Sequence, residues 1–446
     1  MKDKTVYICS FCRTSLLRWQ GQCPKCGEWN SLEPEIKRPR QVRDGTEARN
    51  HPQSLSDIDV TKADFLASGF NELDDVLGGG LVPGSVVLLG GEPGIGKSTL
   101  LLQLLSMAEK GTGRVLYVSG EESLPQIRSR AQRLKLNQES IQVLATSSLE
   151  DVLHALNMEK PCPLMIVDSV QTISGSELHS IPGSPSQIRL VASRLIQEAK
   201  DNGTCIILVG HVTKEGQIAG PRLLEHMVDT VIYLEGDKER LFRILRVNKN
   251  RFGPTNEIVM FSMSSLGMEV ISDPSTFFLQ ARKPGLSGTA VVMAVDGCKP
   301  FGVEVQALSA SSFLSIPRRT ALGFDLNRLH LLLAVMEKKL QRGLAQSDIY
   351  AKIGGGLRLV DPGLDLGIVA GVLSSFHNRC LPERAVFWGE VDLNGQIRPV
   401  PGHEQRLKQA SRIGYRPVFC PQSTDGKPGI STIMEMQELL FSKETS

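Results

Sequence analysis

Two groups of residues in this chain have the types and the spacing to do chemistry. The first is Gly91-Glu92-Pro93-Gly94-Ile95-Gly96-Lys97-Ser98-Thr99, which fits the pattern Gly-x-x-x-x-Gly-Lys-Ser without a mismatch. Glycines at these places let successive backbone N–H groups turn toward one point, and a helix starting there adds the positive end of its dipole. A polyphosphate is what such a cradle stabilises. Lys97 reaches the β- and γ-phosphates and the Ser98 hydroxyl ligates Mg²⁺, so the stretch reads as a nucleoside triphosphate site. The second group is Cys9-x-x-Cys12 and Cys23-x-x-Cys26, with ten residues between the pairs. Two such knuckles place four thiolates tetrahedrally around one Zn²⁺. Pro24 and Gly27 suit the tight turns, and Trp19 and Trp29 are expected to cover the metal. The other five cysteines are scattered singly, which points to a reducing compartment rather than a disulfide framework.

The elements that must position these groups follow from hydrophobic patterning. Ser85–Gly90 is a short β-branched, apolar run, and the leucine-rich stretch from Leu100 to Met107 is too long for a strand, so the glycine loop sits between a strand and a helix. Further buried strands are expected at Arg114–Ser119, Ile141–Ala145, Leu164–Ser169 and Thr204–Gly210, with Val228–Leu234 and Leu241–Val247 as a closing pair. Helical stretches at Leu124–Leu134, Leu149–Asn157 and Gln187–Lys200 alternate with them, which predicts an α/β domain with a mostly parallel sheet and helices on both faces. In such sheets function gathers beyond the strands' carboxyl ends. Asp168 stands there as the acid that holds Mg²⁺, and Glu121 or Glu122 as the base that orients the attacking water. His211 stands one strand over, placed to sense the γ-phosphate.

Composition sets the outer bounds. With 446 residues, 41% hydrophobic and 22% charged, the chain has material for two or three ordinary domains. A net charge of +2 gives no global field for nucleic acid, so any such contact must rest on local groups. No apolar run reaches the ~18 residues of a membrane span, and no apolar h-region follows Met1–Thr5, so no membrane is expected and the cytoplasm is the expected compartment. Four blocks emerge: a zinc module over 1–30, a polar, proline-broken linker over 31–54, an ATPase block over 55–270, and a separate domain over 271–446.

A resemblance adds to this. The run from Gly69-Phe70-Asn71-Glu72-Leu73-Asp74 through Gly79-Gly80-Leu81-Val82-Pro83-Gly84 into the glycine loop resembles the RecA/KaiC branch of ATPases, as does Val118-Ser119-Gly120-Glu121-Glu122-Ser123. Lys249-Asn250-Arg251-Phe252-Gly253 matches the signature of one family in that branch, the bacterial RadA (Sms) DNA repair proteins, and the likeness covers essentially the whole chain. It implies ATP as the nucleotide and a homo-hexameric, DNA-stimulated ATPase. It further implies a ring that acts on single-stranded DNA and branched recombination intermediates and extends branch migration in homologous recombination, with a RecA-type recombinase as the partner of the zinc module. It aligns Glu121 with the catalytic glutamate and implies that Lys249 and Arg251 reach a neighbouring subunit's ATP. Two cations after a strand, before the turn Phe252-Gly253-Pro254, suit that position physically as well. The loops Thr172–Gln187 and Val212–Arg222 correspond to those lining the hole of RecA-like rings, with Arg189, Lys214 and Arg222 as phosphate contacts.

The last block resembles the proteolytic domain of Lon, through Asp361-Pro362-Gly363-Leu364-Asp365-Leu366-Gly367 and Phe387-Trp388-Gly389-Glu390-Val391-Asp392-Leu393-Asn394-Gly395-Gln396. By spacing, Asp365 stands at the nucleophilic serine's position and Glu404 at the activating lysine's. Neither side chain does the job it replaces, so a Lon-protease-like α+β domain without protease activity is expected. Two other readings use the same residues: an ATP-gated DNA clamp that does not translocate, and, against Asp365 and Glu404, an ATP-dependent protease.

Overall fold

The computed structural model describes residues 4–37 and 65–441, apart from 13, 17, 113, 138–140, 159–160, 179, 212–222, 237–241, 281, 342 and 423–428. The chain forms two compact units, Met1–Lys62 and Ala63–Ser446. In the first, β1 (Lys4–Cys9) lies between β2 (Ser15–Leu16) and β3 (Leu32–Lys37) in an antiparallel sheet. Its small core is Cys9, Cys23 and Leu32, with Cys12 and Leu16 against them. Two expectations are corrected here. The stretch read as the start of a linker at 31 is strand β3, paired along its whole length with β1. Trp19 and Trp29 do not cover the cysteines: they are 54% and 68% exposed, and in so thin a module the interior is taken by Cys9, Cys23 and Leu32.

The second unit begins with α1 (Asn71–Leu77), stopped by Gly78 in the left-handed region. Then β4 (Val86–Gly91), α2 (Lys97–Thr112), β5 (Val115–Ser119), α3 (Leu124–Arg133), β6 (Ile141–Ala145), α4 (Leu149–Leu156), β7 (Leu164–Asp168), α5 (Pro185–Asn202) and β8 (Cys205–His211) alternate as expected. A short α6 (Leu223–Met227) leads into β9 (Thr230–Glu235). The six strands from β4 to β9 pair in parallel in the spatial order β9-β4-β8-β7-β5-β6. Strands β4, β5 and β7 are buried along their full length, as strands covered on both faces must be. Their side chains alternate strictly. Val87, Leu89, Tyr117, Leu164 and Ile166 face the core shared with α1 and α2, while Val86, Leu88, Leu116, Met165 and Val167 face the core shared with α4 and α5.

The sheet is larger than the sequence pattern indicates. Beyond β9, β10 (Phe242–Asn250), β11 (Ile258–Ser264) and β12 (Gly267–Val270) add an antiparallel half, which brings it to nine strands. On that half, Leu245, Val247, Val259 and Phe261 face the helix-covered core, but Phe242, Ile244, Ile258 and Met260 enter the core of the C-terminal block. The C-terminal block thus takes the place of a helix layer. Each of these side chains contributes about 1.5–3 kcal/mol by burial, and Arg246 adds a bidentate ion pair to Asp296 at 2.7 and 2.9 Å. Residues on either side of 270 therefore share one core.

That block comprises α7 (Pro274–Leu279), β13 (Thr289–Asp296), β14 (Lys299–Ser311), β15 (Arg319–Leu322), α8 (Leu326–Leu340), β16 (Ser347–Ile353), α9 (Leu364–Phe376), β17 (Val386–Phe387), β18 (Glu390–Val391), β19 (Ile397–Arg398), α10 (His403–Arg412), β20 (Val418–Phe419) and α11 (Ile433–Phe441). Six of the strands form a mixed sheet in the order β15-β16-β14-β13-β17-β20. Helix α9 is buried from Leu364 through Ser374, so Asp365 in its first turn lies inside the fold. Among the described residues no helix is long and apolar enough to cross a membrane.

Candidate nucleotide and metal sites

The glycine loop joins β4 to α2 as its pattern requires. Gly94 (φ 77°) and Gly96 (φ 114°) adopt backbone conformations that side chains disfavour, and a Cβ at Gly96 would stand 2.4 Å from Met268 Cε. Lys97 is buried, and its Nζ donates to the carbonyls of Gly91 (2.8 Å) and Glu92 (3.0 Å), which keeps the ammonium inside the loop. The Ser98 hydroxyl donates to Asp168 Oδ2 at 2.7 Å. Glycine loop, ammonium, hydroxyl and carboxylate thus converge at the carboxyl ends of β4 and β7 and at the N-terminus of α2. A hydroxyl beside a carboxylate is an oxygen donor set of the kind Mg²⁺ takes alongside phosphate oxygens. The residues fit a magnesium-bound polyphosphate.

The two candidate glutamates diverge. Both backbone N–H groups donate to Ser119 Oγ. The exposed Glu121 side chain accepts from Ser169 Oγ at 2.5 Å, next in the chain to Asp168, with a cis peptide between Asp168 and Ser169. Glu122 turns the other way and is ion-paired with Arg130 of α3 at 2.5 Å. His211 ends β8 opposite Gly91 in the strand register, and its side chain lies outside the described residues. Lys214 and Arg222 also lie outside them. Arg189 is exposed in the second turn of α5. The buried Gln187 amide ties down described residues of the loop before α5, donating to the carbonyls of Gly175, Leu178 and Ser180.

Lys249 and Arg251 stand apart from this site. Lys249 pairs with Val231 and Asn250 with Thr230, at the start of β9, whereas Gly91 pairs with Leu234 near its end. The two cations therefore lie at the opposite ends of the strands from their own glycine loop. Lys249 Nζ donates to the carbonyls of Glu225 (2.9 Å) and Val228 (2.7 Å). Burial, with Arg251 nearby, pulls its pKa below the usual lysine value. Arg251 is half-exposed and bonds Asp229 at 3.1 Å.

Two residues at the nucleotide site escape the sequence reading. Tyr117 of β5 donates its phenolic hydroxyl to Asp168 Oδ2 at 2.6 Å. Arg243 of β10, buried beneath the loop, donates from Nε to the Ile95 carbonyl at 3.0 Å. The signal for Tyr117 was parity. It is a large side chain with a polar tip in a buried strand, on the same sheet face as Asp168 of the adjacent strand. Arg243 carried a weaker signal, a charge in a strand otherwise buried at that end.

In the first unit the four cysteine Sγ atoms lie within 4.8 Å of one another, the only such group of candidate metal ligands among the described residues. Cys9 to Cys26 and Cys12 to Cys23 are each 3.6 Å apart. A tetrahedron with Zn–S bonds of ~2.3 Å has edges of about 3.8 Å, so the cage fits zinc. Hydrogen bonding with Ser31 lowers the Cys9 pKa to about 6, and contact with Thr14 lowers that of Cys12. The Cys26 thiol, despite a backbone hydrogen bond at Glu28, is pushed up to about 12 by burial and the neighbouring thiols. Cys9 and Cys12 are therefore the readiest thiolates for a metal.

In the C-terminal block, Asp365 is locked. Arg328 engages both of its oxygens, with Nε 2.8 Å from Oδ1, and the Val391 amide donates to Oδ2 at 2.9 Å. Glu404, in the first turn of α10, is exposed.

Residues 7–34 match the family described as a rubredoxin metal binding domain, and residues 49–217 the family described as an AAA domain. Among curated proteins, the chain is 43% identical to one of Rickettsia bellii, with 98% of each chain covered. It is 42% identical to one of Bacillus subtilis (97% of this chain and 96% of the other) and 42% identical to one of Pseudomonas aeruginosa (94% and 93%). All three relatives are named DNA repair protein RadA.

Proposed function

This chain belongs to the family of bacterial proteins named DNA repair protein RadA, and from that premise we propose that it is a DNA-dependent ATPase of homologous recombination and repair. In this reading it acts in the cytoplasm as a homo-hexameric ring that translocates on single-stranded DNA and drives branch migration of recombination intermediates. One observation carries the ATPase part: the Ser98 hydroxyl and the Asp168 carboxylate meet at 2.7 Å beside the buried Lys97. Bound Mg²⁺ would neutralise charge on the phosphates. Ser98 and Asp168 hold its place, Lys97 and the loop amides bind the β- and γ-phosphates, and Arg243 braces the loop from below. Glu121 orients the attacking water and receives its proton. Its tie to Ser169 favours it over Glu122, which Arg130 occupies. His211, beside Gly91, reports the γ-phosphate to the loop after β8.

The placement of Lys249 and Arg251 at the opposite ends of the strands from their own glycine loop supports a role in trans, on a neighbouring subunit's nucleotide. Stabilising charge on the transferred phosphoryl group is what cations there would do. Arg189, Lys214 and Arg222 are the proposed contacts to DNA phosphates. The four cysteines hold Zn²⁺ in a module available to a partner such as a RecA-type recombinase. The last block is a Lon-protease-like scaffold without protease activity, and the capture of Asp365 by Arg328 supports this against the ATP-dependent protease reading.

The deciding experiment is ATP hydrolysis with and without single-stranded DNA, in the wild type and in Lys97→Ala. Stimulation by DNA that disappears in the variant is expected. Lys97-dependent hydrolysis indifferent to DNA would overturn the DNA motor and leave an ATPase. Strand displacement separates a motor from an ATP-gated clamp, which binds without unwinding. A zinc-to-protein ratio near one is expected for unchelated protein, and a ratio near zero refutes the metal module.

A further inference from the structure

Asp168 is held by two hydroxyls, and only one of them belongs to the glycine loop. The second comes from Tyr117, which is 1% exposed in the centre of β5. Strand periodicity explains how it arrives there. Leu164 and Ile166 of β7 face the core beneath α2, so Asp168, two residues further, faces the same way. Tyr117 faces that core from the adjacent strand, paired with Ile166. Ser98 approaches from the first turn of α2, directly above. Both hydroxyls converge on the same oxygen, Oδ2, at 2.6 Å from Tyr117 and 2.7 Å from Ser98.

A phenylalanine would fill this apolar position without a polar group to satisfy. A buried phenolic O–H needs a partner, and the partner here is the carboxylate proposed to hold Mg²⁺.

We propose that Tyr117 is a positioning residue for the magnesium site: its hydroxyl pins Oδ2 of Asp168 toward Ser98 and so fixes the carboxylate in the orientation that receives the metal. The inference deepens the nucleotide-site reading and rests on Asp168 being the acid that holds Mg²⁺. Side chains that orient metal-holding groups typically change metal affinity by about 10–100-fold when removed. Tyr117→Phe removes one oxygen and retains the ring.

The test is a Mg²⁺ titration of nucleotide binding, followed with a fluorescent ADP analogue in wild type, Tyr117→Phe and Asp168→Asn, with hydrolysis measured in parallel. Tyr117→Phe is expected to raise the half-saturating Mg²⁺ concentration by about tenfold, while binding of the analogue in EDTA stays within about twofold. Excess Mg²⁺ should restore most of the hydrolysis. A Mg²⁺ curve that superimposes on the wild type overturns the proposal, and so does an equal loss of binding with and without Mg²⁺, which marks a merely structural tyrosine. Asp168→Asn separates the two readings. If it shifts the Mg²⁺ curve and Tyr117→Phe does not, only the tyrosine's role fails. If Asp168→Asn leaves the curve unchanged, the underlying assignment of the acid fails. A second readout needs no substitution at Tyr117. In wild-type protein labelled with 3-fluorotyrosine, the Tyr117 fluorine resonance should move when Mg²⁺ joins bound nucleotide, and a resonance that ignores Mg²⁺ refutes the proposal. With five tyrosines in the chain, it can be assigned by replacing the other four.

Discussion

Asp168 and Asp365 are both aspartates withdrawn from solvent, and they are held in opposite ways. Asp168 is met by the hydroxyls of Ser98 and Tyr117, Asp365 by the guanidinium of Arg328 and the amide of Val391. Hydroxyl donors orient a carboxylate and leave its full negative charge for a cation that arrives later. A guanidinium orients it and neutralises it at once. The first arrangement suits an acid that meets a cation, as proposed for Asp168, and the second is a brace that needs none. The same residue type therefore has two meanings, which its donors decide.

The sharpest way to break this comparison is to remove each charge in turn. Asp168→Asn should lower ATP hydrolysis by about 100-fold or more and leave the melting temperature nearly unchanged, because no ion pair is lost with it. Asp365→Asn should do the reverse, with hydrolysis near wild type and reduced stability. An Asp365 variant that loses hydrolysis while fully folded would place Asp365 in a working site. Arg328→Met asks the complementary question. It leaves Asp365 buried without its counter-charge, a loss typically worth about 3–5 kcal/mol for fully buried pairs. The Arg328 side chain is 32% exposed, and that discounts the cost to about 2–3 kcal/mol, measured by urea unfolding. The double change Arg328→Met, Asp365→Leu should recover most of it, since a matched apolar pair owes no desolvation.

The contrast also explains what was legible in the chain. The glycine loop, Asp168 and the four cysteines could be read because their chemistry sits in contiguous patterns or at the end of one strand. Tyr117 and Arg243 act through the sheet's register, joining residues 51 and 148 positions away, and a local pattern carries no record of that. The antiparallel extension β11–β12 was missed for a related reason. Its second face is covered by a block that starts after it in sequence, so its apolar residues match no local helix layer. The tryptophans of the zinc module misled because large aromatics are usually interior, and there Cys9, Cys23 and Leu32 fill the small interior instead.

Arg243 offers a smaller, sharper test, since it is an arginine serving a loop rather than an acid. Its Nε holds the Ile95 carbonyl of the glycine loop, while its neighbours Phe242 and Ile244 enter the C-terminal core. Arg243→Gln keeps a donor but loses the charge, and should weaken ATP binding by about 3–10-fold, the scale of the difference between a charge-assisted and a neutral hydrogen bond. Calorimetric titration checks it, and unchanged affinity would confine Arg243 to packing.

The smallest effect comes from a third carboxylate, which isolates the contribution of hydroxyl donors from that of burial. Glu150 is exposed, yet it accepts from the Ser176 hydroxyl (2.6 Å) and amide (2.8 Å) and from the Ser148 hydroxyl (3.0 Å). Ser176, through its hydroxyl first and its amide second, lowers the Glu150 pKa to about 2. The folded value lies below the unfolded one of ~4.3, so the folded state holds this proton less tightly than the unfolded chain. Its contribution to stability is complete above about pH 5 and is lost as pH falls through 4 toward 2. The difference in unfolding free energy between wild type and Glu150→Gln should therefore shrink across that window. A difference that stays constant with pH would mean that the Ser176 contacts do not depend on the charge. Solvent screens this exposed group, so its effect on stability is small. Asp168 accepts from the same kind of donor with its charge shielded from water, and there an approaching cation feels that charge most strongly.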